Sequence, residues 1–221
     1  MENSYSHPDA LASTEWVAAH LEDPSVVIAE VNTDLEAGYR QGHVPGAVGW
    51  NLHADIEDKT RRDVPSIRQF EELLGRSGVS NDTTVVLYGD GNNRSATWAF
   101  WVLKYYRHED VRLMNGGRAK WVQEGRPLST EVPSPEAKPY TAGVPDGSLR
   151  AQRDHIVSNL RNESVRLLDT RTLEEYTGVP DSAASTPQPE IYSKGRIPGA
   201  VHVPWDQAAG EDGTFRPADD L

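Results

Sequence analysis

Short apolar runs alternate with stretches of helical periodicity along the first 126 residues. Four apolar runs predict buried strands, at residues 26–29, 47–50, 83–88 and 111–114. Four stretches with apolar residues at helical spacing predict helices, at residues 11–22, 66–78, 94–107 and 118–124. Strands that alternate with helices across short loops predict an α/β fold with a parallel sheet flanked by helices.

The clearest helix signal begins at Ser66. Gln69 follows three residues later, which is the spacing of a capping box, and Gly78 stands where such a helix would end. The strongest strand signal, residues 83–88, is followed by a tight polar loop, Gly-Asp-Gly-Asn-Asn at residues 89–93. A long apolar and aromatic helix is predicted to begin at Arg94.

The composition changes between residues 127 and 149. This stretch holds five prolines and no apolar periodicity, which is typical of an extended linker between domains.

A seven-residue motif occurs twice in the chain. Gly-His-Val-Pro-Gly-Ala-Val at residues 42–48 returns as Gly-Arg-Ile-Pro-Gly-Ala-Val at residues 195–201, an offset of 153. Both copies follow a predicted helix and a predicted strand, the latter at residues 165–168 in the second copy, where an insertion rich in Pro, Ser and Ala occupies residues 177–190. The repeat predicts a first domain at residues 11–126 and the first half of a second domain at residues 150–221.

Composition and charge exclude several classes of function. The 221 residues carry a formal net charge of −12, with Lys and Arg scattered singly, which argues against nucleic-acid binding and adhesion to anionic membranes. No apolar run approaches the length of a membrane helix, and the N-terminus lacks the features of a signal peptide. The expectation is a soluble cytoplasmic protein. The seven histidines show no metal-ligand spacing, and no cysteine is present, so no metal site or other cofactor is predicted.

The loop at residues 89–94 is the predicted position for chemistry. Ligands of open parallel sheets bind beyond the carboxyl ends of the strands, and a helix N-terminus favours anions there. A cysteine in such a loop would be largely thiolate and hence nucleophilic.

This ordered set of motifs resembles the rhodanese family, the thiosulfate sulfurtransferases, in its tandem two-domain form. The resemblance is carried by residues 39–48, 85–88, 113–118, 167–171, 195–201 and 211–215. It implies a Cys-x4-Arg loop whose cysteine takes a sulfane sulfur from thiosulfate, releases sulfite, and passes the sulfur to cyanide or another thiophilic acceptor. It also implies that only the C-terminal domain has the cysteine.

In this chain the resemblance makes the first loop a vestigial site. The closing Arg94 is present, but the cysteine position falls on Gly89, or on Asp90 with one gap. The remaining vestigial positions are Gly91, Asn92 and Asn93. We expect no catalytic residue within these 221 residues and a cysteine near position 242, which is 89 plus the offset of 153, so that the chain reads as truncated and inactive as it stands.

Two further residues are candidates for a substrate pocket in the second copy. Asp169 and Arg171 belong to an Asp-Thr-Arg set whose counterparts in the first copy are Glu30 and Asn32. Arg171 either helps to hold an anionic substrate or forms a surface ion pair with Asp169 or Glu174.

Two hypotheses of function remain open. The first is a monomeric sulfurtransferase whose partners are thiosulfate and a thiophilic acceptor. The second is a cysteine-free rhodanese-like binding or scaffold protein without catalysis.

Overall fold

The computed structural model describes residues 5–58, 60, 63–178 and 195–221. Contacts divide the chain into two compact units. The first unit comprises residues up to Leu149 together with Ala209–Leu221, and the second comprises Arg150–Ala208. In the described part of the chain, no helix is both long and apolar enough to cross a membrane.

The first unit is built on a five-stranded parallel sheet. Its strands in chain order are β1 (Leu11–Ala12), β2 (Val26–Asn32), β3 (Val48–Asn51), β4 (Thr84–Tyr88) and β5 (Val111–Met114). The order across the sheet is β1-β5-β4-β2-β3, which places β4 at the centre. The predicted α/β class with a parallel sheet flanked by helices is confirmed.

Four α-helices cover the two faces of this sheet. They are α1 (Thr14–Ala19), α2 (Ile67–Arg76), α3 (Arg94–Tyr105) and α4 (Gly117–Gln123). Alternate residues of β4 enter opposite layers: Val85 and Leu87 pack with α2 and α3, whereas Val86 and Tyr88 pack with α1 and α4. A strand buried on both faces explains why residues 83–88 read as a continuous apolar run.

Short helical turns complete the unit. They are the 3₁₀ turns Pro8–Ala10, Tyr39–Gln41, Gly147–Leu149 and Ala218–Asp220 and the π-helical turn Leu52–Ile56.

The predicted cap of α2 is present. The Ser66 hydroxyl accepts a hydrogen bond from Gln69 N at 3.3 Å, and the Gln69 side chain accepts one from Ser66 N at 3.0 Å. Gly78, at φ +76°, takes the left-handed conformation just beyond the helix.

The helix predicted at residues 11–22 is shorter than its sequence pattern. Leu11 and Ala12 form the edge strand β1 instead, because they pair with Leu113 and Met114 of β5. The helix then begins after Ser13, whose hydroxyl accepts a hydrogen bond from Trp16 N at 3.1 Å.

Residues 127–149 are largely extended, and contacts make them part of the first unit. Ser129 exchanges two backbone hydrogen bonds of 2.8 Å with His43, and Lys138 N donates to Gly75 O at 3.0 Å. Tyr140 is buried, with its ring edge-on to Phe70 at a centroid distance of 5.7 Å. Contacts also group residues 209–221 with the first unit, although the repeat assigned them to a second domain. The predicted domain boundaries stay a prediction.

The second unit contains α5 (Arg153–Asn159), β6 (Leu168–Asp169), α6 (Leu173–Thr177), β7 (Val201–His202) and the 3₁₀ turn Trp205–Ala208. The predicted strand at residues 165–168 is therefore shorter and begins later. Residues 179–190 of the predicted insertion lie outside the described residues.

Both copies of the repeated motif have the same local geometry. In the first unit Ala29 pairs with Val48, and in the second Leu168 pairs with Val201, which is Val48 plus the offset of 153. An aromatic hydroxyl closes each motif: Tyr39 donates to Ala47 O at 2.8 Å, and Tyr176 donates to Ala200 O at 3.0 Å.

We predict that replacing Tyr140 by Ala lowers the free energy of unfolding by about 3 kcal/mol, because a large buried aromatic side chain is lost from the core. Urea denaturation measures the change. Val144→Ala is the matched control in the same segment, because Val144 is 80% exposed. Equal stability of the two variants would show that residues 127–149 do not contribute to the core of the first unit.

Candidate functional site

The loop at residues 89–94 follows the central strand β4 and leads into α3. Gly91, Asn92 and Asn93 are consecutive left-handed residues, with φ values of +54°, +55° and +62°. Asn93 is buried, and its side chain accepts a hydrogen bond from Gly89 N at 2.9 Å and donates one to Met114 O at 2.8 Å. Asparagine tolerates this conformation better than most residues. The Asn93 amide also holds the loop in place, because it bonds the end of β4 at Gly89 and the end of β5 at Met114.

Arg94, the predicted closing residue, is the first residue of α3. Its backbone N–H donates to Gly91 O at 3.2 Å, so the first turn of the helix continues from the left-handed loop. The structure thus places the vestigial positions, residues 89–94, together at the carboxyl end of the sheet.

A buried carboxylate lies beside this loop. Glu30, in β2, is completely buried and accepts hydrogen bonds from the Tyr88 hydroxyl at 2.5 Å and from Asn32 Nδ2 at 2.8 Å. Arg118 of α4 places Nη1 3.2 Å from Glu30 Oε2. Asn32 Nδ2 also donates to Asp90 Oδ2 at 3.0 Å, which joins the loop to the network.

The electrostatics of this network are dominated by burial. Burial raises the pKa of Glu30, while the hydrogen bond from Tyr88 and the charge of Arg118 oppose that rise. Burial and the neighbouring Glu30 carboxylate raise the pKa of Tyr88 well above its usual value. Tyr88 therefore stays protonated and donates to Glu30, while its oxygen accepts a hydrogen bond from Val44 N at 2.9 Å.

The structure distinguishes the two positions that could correspond to the family's cysteine. A Cβ atom added to Gly89 would lie 2.5 Å from Val31 O and 3.2 Å from Asn32 Oδ1, so no side chain fits there without a backbone shift. Asp90 already carries a side chain that is 52% exposed. Of the two positions, Asp90 therefore has a side chain that faces solvent, whereas Gly89 has no room for one.

Sequence reasoning missed two members of the network. The sequence predicts Tyr88 at the end of a strand and Arg118 at the start of a helix, both within motifs of the family resemblance, but nothing in their spacing connects them to Glu30. A glutamate within the apolar run of β2 was the one available signal, since a buried carboxylate requires partners.

In the second unit the structure brings Asp169 and Arg171 together. Arg171 Nε lies 2.9 Å from Asp169 Oδ1, and Nη2 lies 2.6 Å from Oδ2, a two-point contact. The Arg171 hydrogen bond holds the pKa of Asp169 below its usual value. Arg171 also donates to Gly195 O at 2.9 Å, at the start of the repeated motif. Their role in a substrate pocket stays a prediction.

Comparison with known proteins identifies the family. The rhodanese-like domain model matches residues 13–124, which include strands β2 to β5 and the loop described above. The "Sulfur carrier protein TtuD" of Thermus thermophilus is 47% identical over 220 residues, covering 98% of this chain and 77% of that protein. This chain belongs to the rhodanese-like family.

Another relative and two solved structures agree with this membership. A Mycolicibacterium smegmatis protein named "Putative thiosulfate sulfurtransferase" is 42% identical over 213 residues, covering 96% of this chain and 76% of its own. The structure of SseA from Escherichia coli, described as a 3-mercaptopyruvate sulfotransferase, has a TM-score of 0.79 at 23% identity and covers 96% of this chain and 80% of its own. YnjE has a TM-score of 0.81 at 24% identity over 97% of this chain and 54% of its own. At these identities the two structures support the rhodanese fold alone.

We predict that Gly89→Cys lowers the free energy of unfolding by about 1–3 kcal/mol, because its Cβ overlaps Val31 O. Asp90→Cys, the matched substitution that places a thiol one residue later, should lower the free energy of unfolding less and should react rapidly with a thiol reagent. Denaturation and thiol titration measure both effects. A Gly89→Cys variant as stable as Asp90→Cys would contradict the proposed steric limit.

We predict that Glu30→Gln changes the pH dependence of stability. The pKa of Glu30 is raised in the folded state, so between pH 4.5 and that folded-state pKa the native protein holds a proton that the unfolded chain has lost. Wild-type stability from this group is complete below pH 4.5 and is lost as the pH rises through the folded-state pKa. The difference in unfolding free energy, wild type minus variant, should therefore fall as the pH rises above 4.5. Denaturation from pH 4 to 8 measures it, and a difference that rises across this window would refute the assignment.

Proposed function

We propose that this chain is part of a sulfurtransferase that moves the sulfane sulfur of thiosulfate to cyanide or another thiophilic acceptor through a cysteine persulfide. Its membership of the rhodanese-like family supports the general reaction. The observation that carries the proposal is the 42% identity, over 96% of this chain, to a relative whose name refers to thiosulfate sulfurtransfer. A monomer located in the cytoplasm is part of the same hypothesis.

The proposed reaction needs no oxidant or cofactor. A cysteine thiolate attacks the outer sulfur of thiosulfate, the S–S bond breaks, and sulfite leaves with the bonding electron pair. The resulting persulfide is attacked at its outer sulfur by the acceptor, which restores the thiolate and releases thiocyanate when the acceptor is cyanide. These 221 residues contain no cysteine, so we infer that the nucleophile lies outside them, near position 242.

We further infer that the chain carries a tandem repeat and that the site in the first unit is catalytically silent. The equal strand registers of the two motifs support the repeat. Two observations support the silence: Gly89 has no room for a side chain, and Asp90 places a half-exposed carboxylate in the loop. A carboxylate at that position disfavours a doubly charged anion such as thiosulfate.

A second candidate function is a cysteine-free binding or scaffold protein. The absence of any cysteine from the 221 residues is the observation that favours it. The Asp90 carboxylate in the loop of the first unit agrees with either candidate, because both expect that unit to be silent.

Mass spectrometry of the protein isolated from its source tests the proposal. After incubation with thiosulfate, we expect a mass increase of one sulfur atom that a thiol reductant removes, located on a peptide outside these 221 residues. Addition of cyanide should then release thiocyanate. The 221-residue chain expressed alone is the control and should gain no sulfur. A native protein that lacks a cysteine and forms no thiocyanate would reject the sulfurtransferase and leave the binding protein.

A further inference from the structure

A compact turn near the end of the described chain lies within the first unit. Ala209 and Phe215 form an antiparallel bridge, and Gly210 N donates to Thr214 O at 2.7 Å. Asp212 Oδ1 accepts hydrogen bonds from Thr214 N at 3.1 Å and from the Thr214 hydroxyl at 2.6 Å. Residues 209–216 therefore have their own internal hydrogen bonds, and we refer to them as the terminal turn.

The terminal turn contacts a defined surface of the first unit. This surface, the loop face, consists of residues 89–94, residues 115–117 and Lys120. Phe215 N donates to Asn115 Oδ1 at 2.8 Å, and Lys120 Nζ lies 3.2 Å from Asp212 Oδ2. The Phe215 side chain is partly buried against the core layer formed by the sheet with α2 and α3. The Tyr5 hydroxyl donates to Arg216 O at 2.7 Å. Polar and apolar contacts thus hold the turn at several points.

Glycine allows the backbones to approach closely at this surface. A Cβ on Gly213 would lie 3.0 Å from Gly116 O and 3.5 Å from Asn92 Oδ1. A Cβ on Gly117 would lie 2.5 Å from Asn93 Oδ1 and 2.9 Å from Gly89 O. Gly213 of the terminal turn therefore packs closely against the backbone of Gly116 and the Asn92 side chain, and Gly117 packs closely against the 89–94 loop.

Charge complements this fit. The long side chain of Lys120 covers Gly116 and carries its ammonium group to Asp212. Hydrogen bonds from Thr214, together with Lys120, lower the pKa of Asp212 to about 2. The hydrogen bond with Asp212 raises the pKa of Lys120. Both groups are charged at neutral pH, so the ion pair persists there.

We propose that the loop face is a docking surface for the chain's own terminal turn. We also propose that the docked turn stabilises the left-handed conformation of the 89–94 loop. A loop in the position that the family uses for sulfur chemistry would then serve as a recognition surface for an Asp-Gly-Thr-Phe turn. This inference concerns the first unit alone and does not depend on whether the protein transfers sulfur.

Amide hydrogen exchange on the full 221-residue chain tests the docking. Asn115→Leu removes the acceptor of Phe215 N–H at nearly constant volume, whereas Asn115→Asp retains it. Loss of one hydrogen bond should accelerate exchange at Phe215 about three- to tenfold in the Leu variant and much less in the Asp variant. If the docked turn stabilises the loop, hydrogen exchange at the Arg118 amide should accelerate in the Leu variant as well, because this N–H donates to Gly89 O at 3.2 Å.

Two further variants separate docking from general destabilisation. Lys120→Met keeps the apolar stem over Gly116 and removes the charge, so it should accelerate the same two amides about two- to fivefold. Asn81→Leu is the matched control, because Asn81 ties another extended segment by accepting from Thr141 N at 3.1 Å. It should accelerate hydrogen exchange at the Thr141 amide and leave exchange at Phe215 and Arg118 unchanged. Unaltered exchange at Phe215 in both Asn115→Leu and Lys120→Met would overturn the docking. Faster exchange at Phe215 with unchanged exchange at Arg118 would overturn the stabilisation of the loop by the turn.

Discussion

The fully buried carboxylate of Glu30, at the carboxyl end of β2, constrains everything around it in the first unit. A buried charge is unfavourable unless hydrogen bonds and an opposite charge compensate it. The compensation comes from Tyr88 on the neighbouring strand β4 and from Arg118 on α4. Because Arg118 N also donates to Gly89 O, the residue that neutralises Glu30 also holds the start of the 89–94 loop. One buried charge thus links two strands, a helix and the candidate site.

The conformation of the same loop is fixed by the structure around it. The family membership and the TM-scores near 0.8 place the loop in a rhodanese fold. Its backbone is held by the Asn93 amide and by close glycine contacts, and neither depends on a nucleophile. The scaffold of the loop can therefore persist when the reactive residue is absent, which is why fold alone does not establish activity.

Much of the first unit could be predicted because its signals are local. Helical spacing and the Ser66–Gln69 cap are properties of neighbouring residues, and a buried central strand must be apolar. Contacts between distant residues leave no such pattern. Leu11 joined a strand because of a partner 102 positions later, and Tyr140 is buried in a segment without periodicity. The network of Glu30 with Arg118 likewise spans 88 positions, so composition and spacing could not reveal it.

The carboxylates that precede the two copies of the repeated motif are paired with a positive charge in different ways. Asp169 and Glu30 occupy matching register positions, opposite His202 and Gly49, which differ by the offset of 153. Asp169 finds its cation two residues along the chain, in Arg171. The corresponding residue beside Glu30 is Asn32, which is neutral, and the guanidinium group arrives instead from Arg118 on α4. Because the positive charge beside Glu30 comes from a helix, the ion pair ties strand β2 to α4. Because the Arg118 guanidinium group is paired with this buried carboxylate, its charge is compensated inside the protein and is not available to bind an anion.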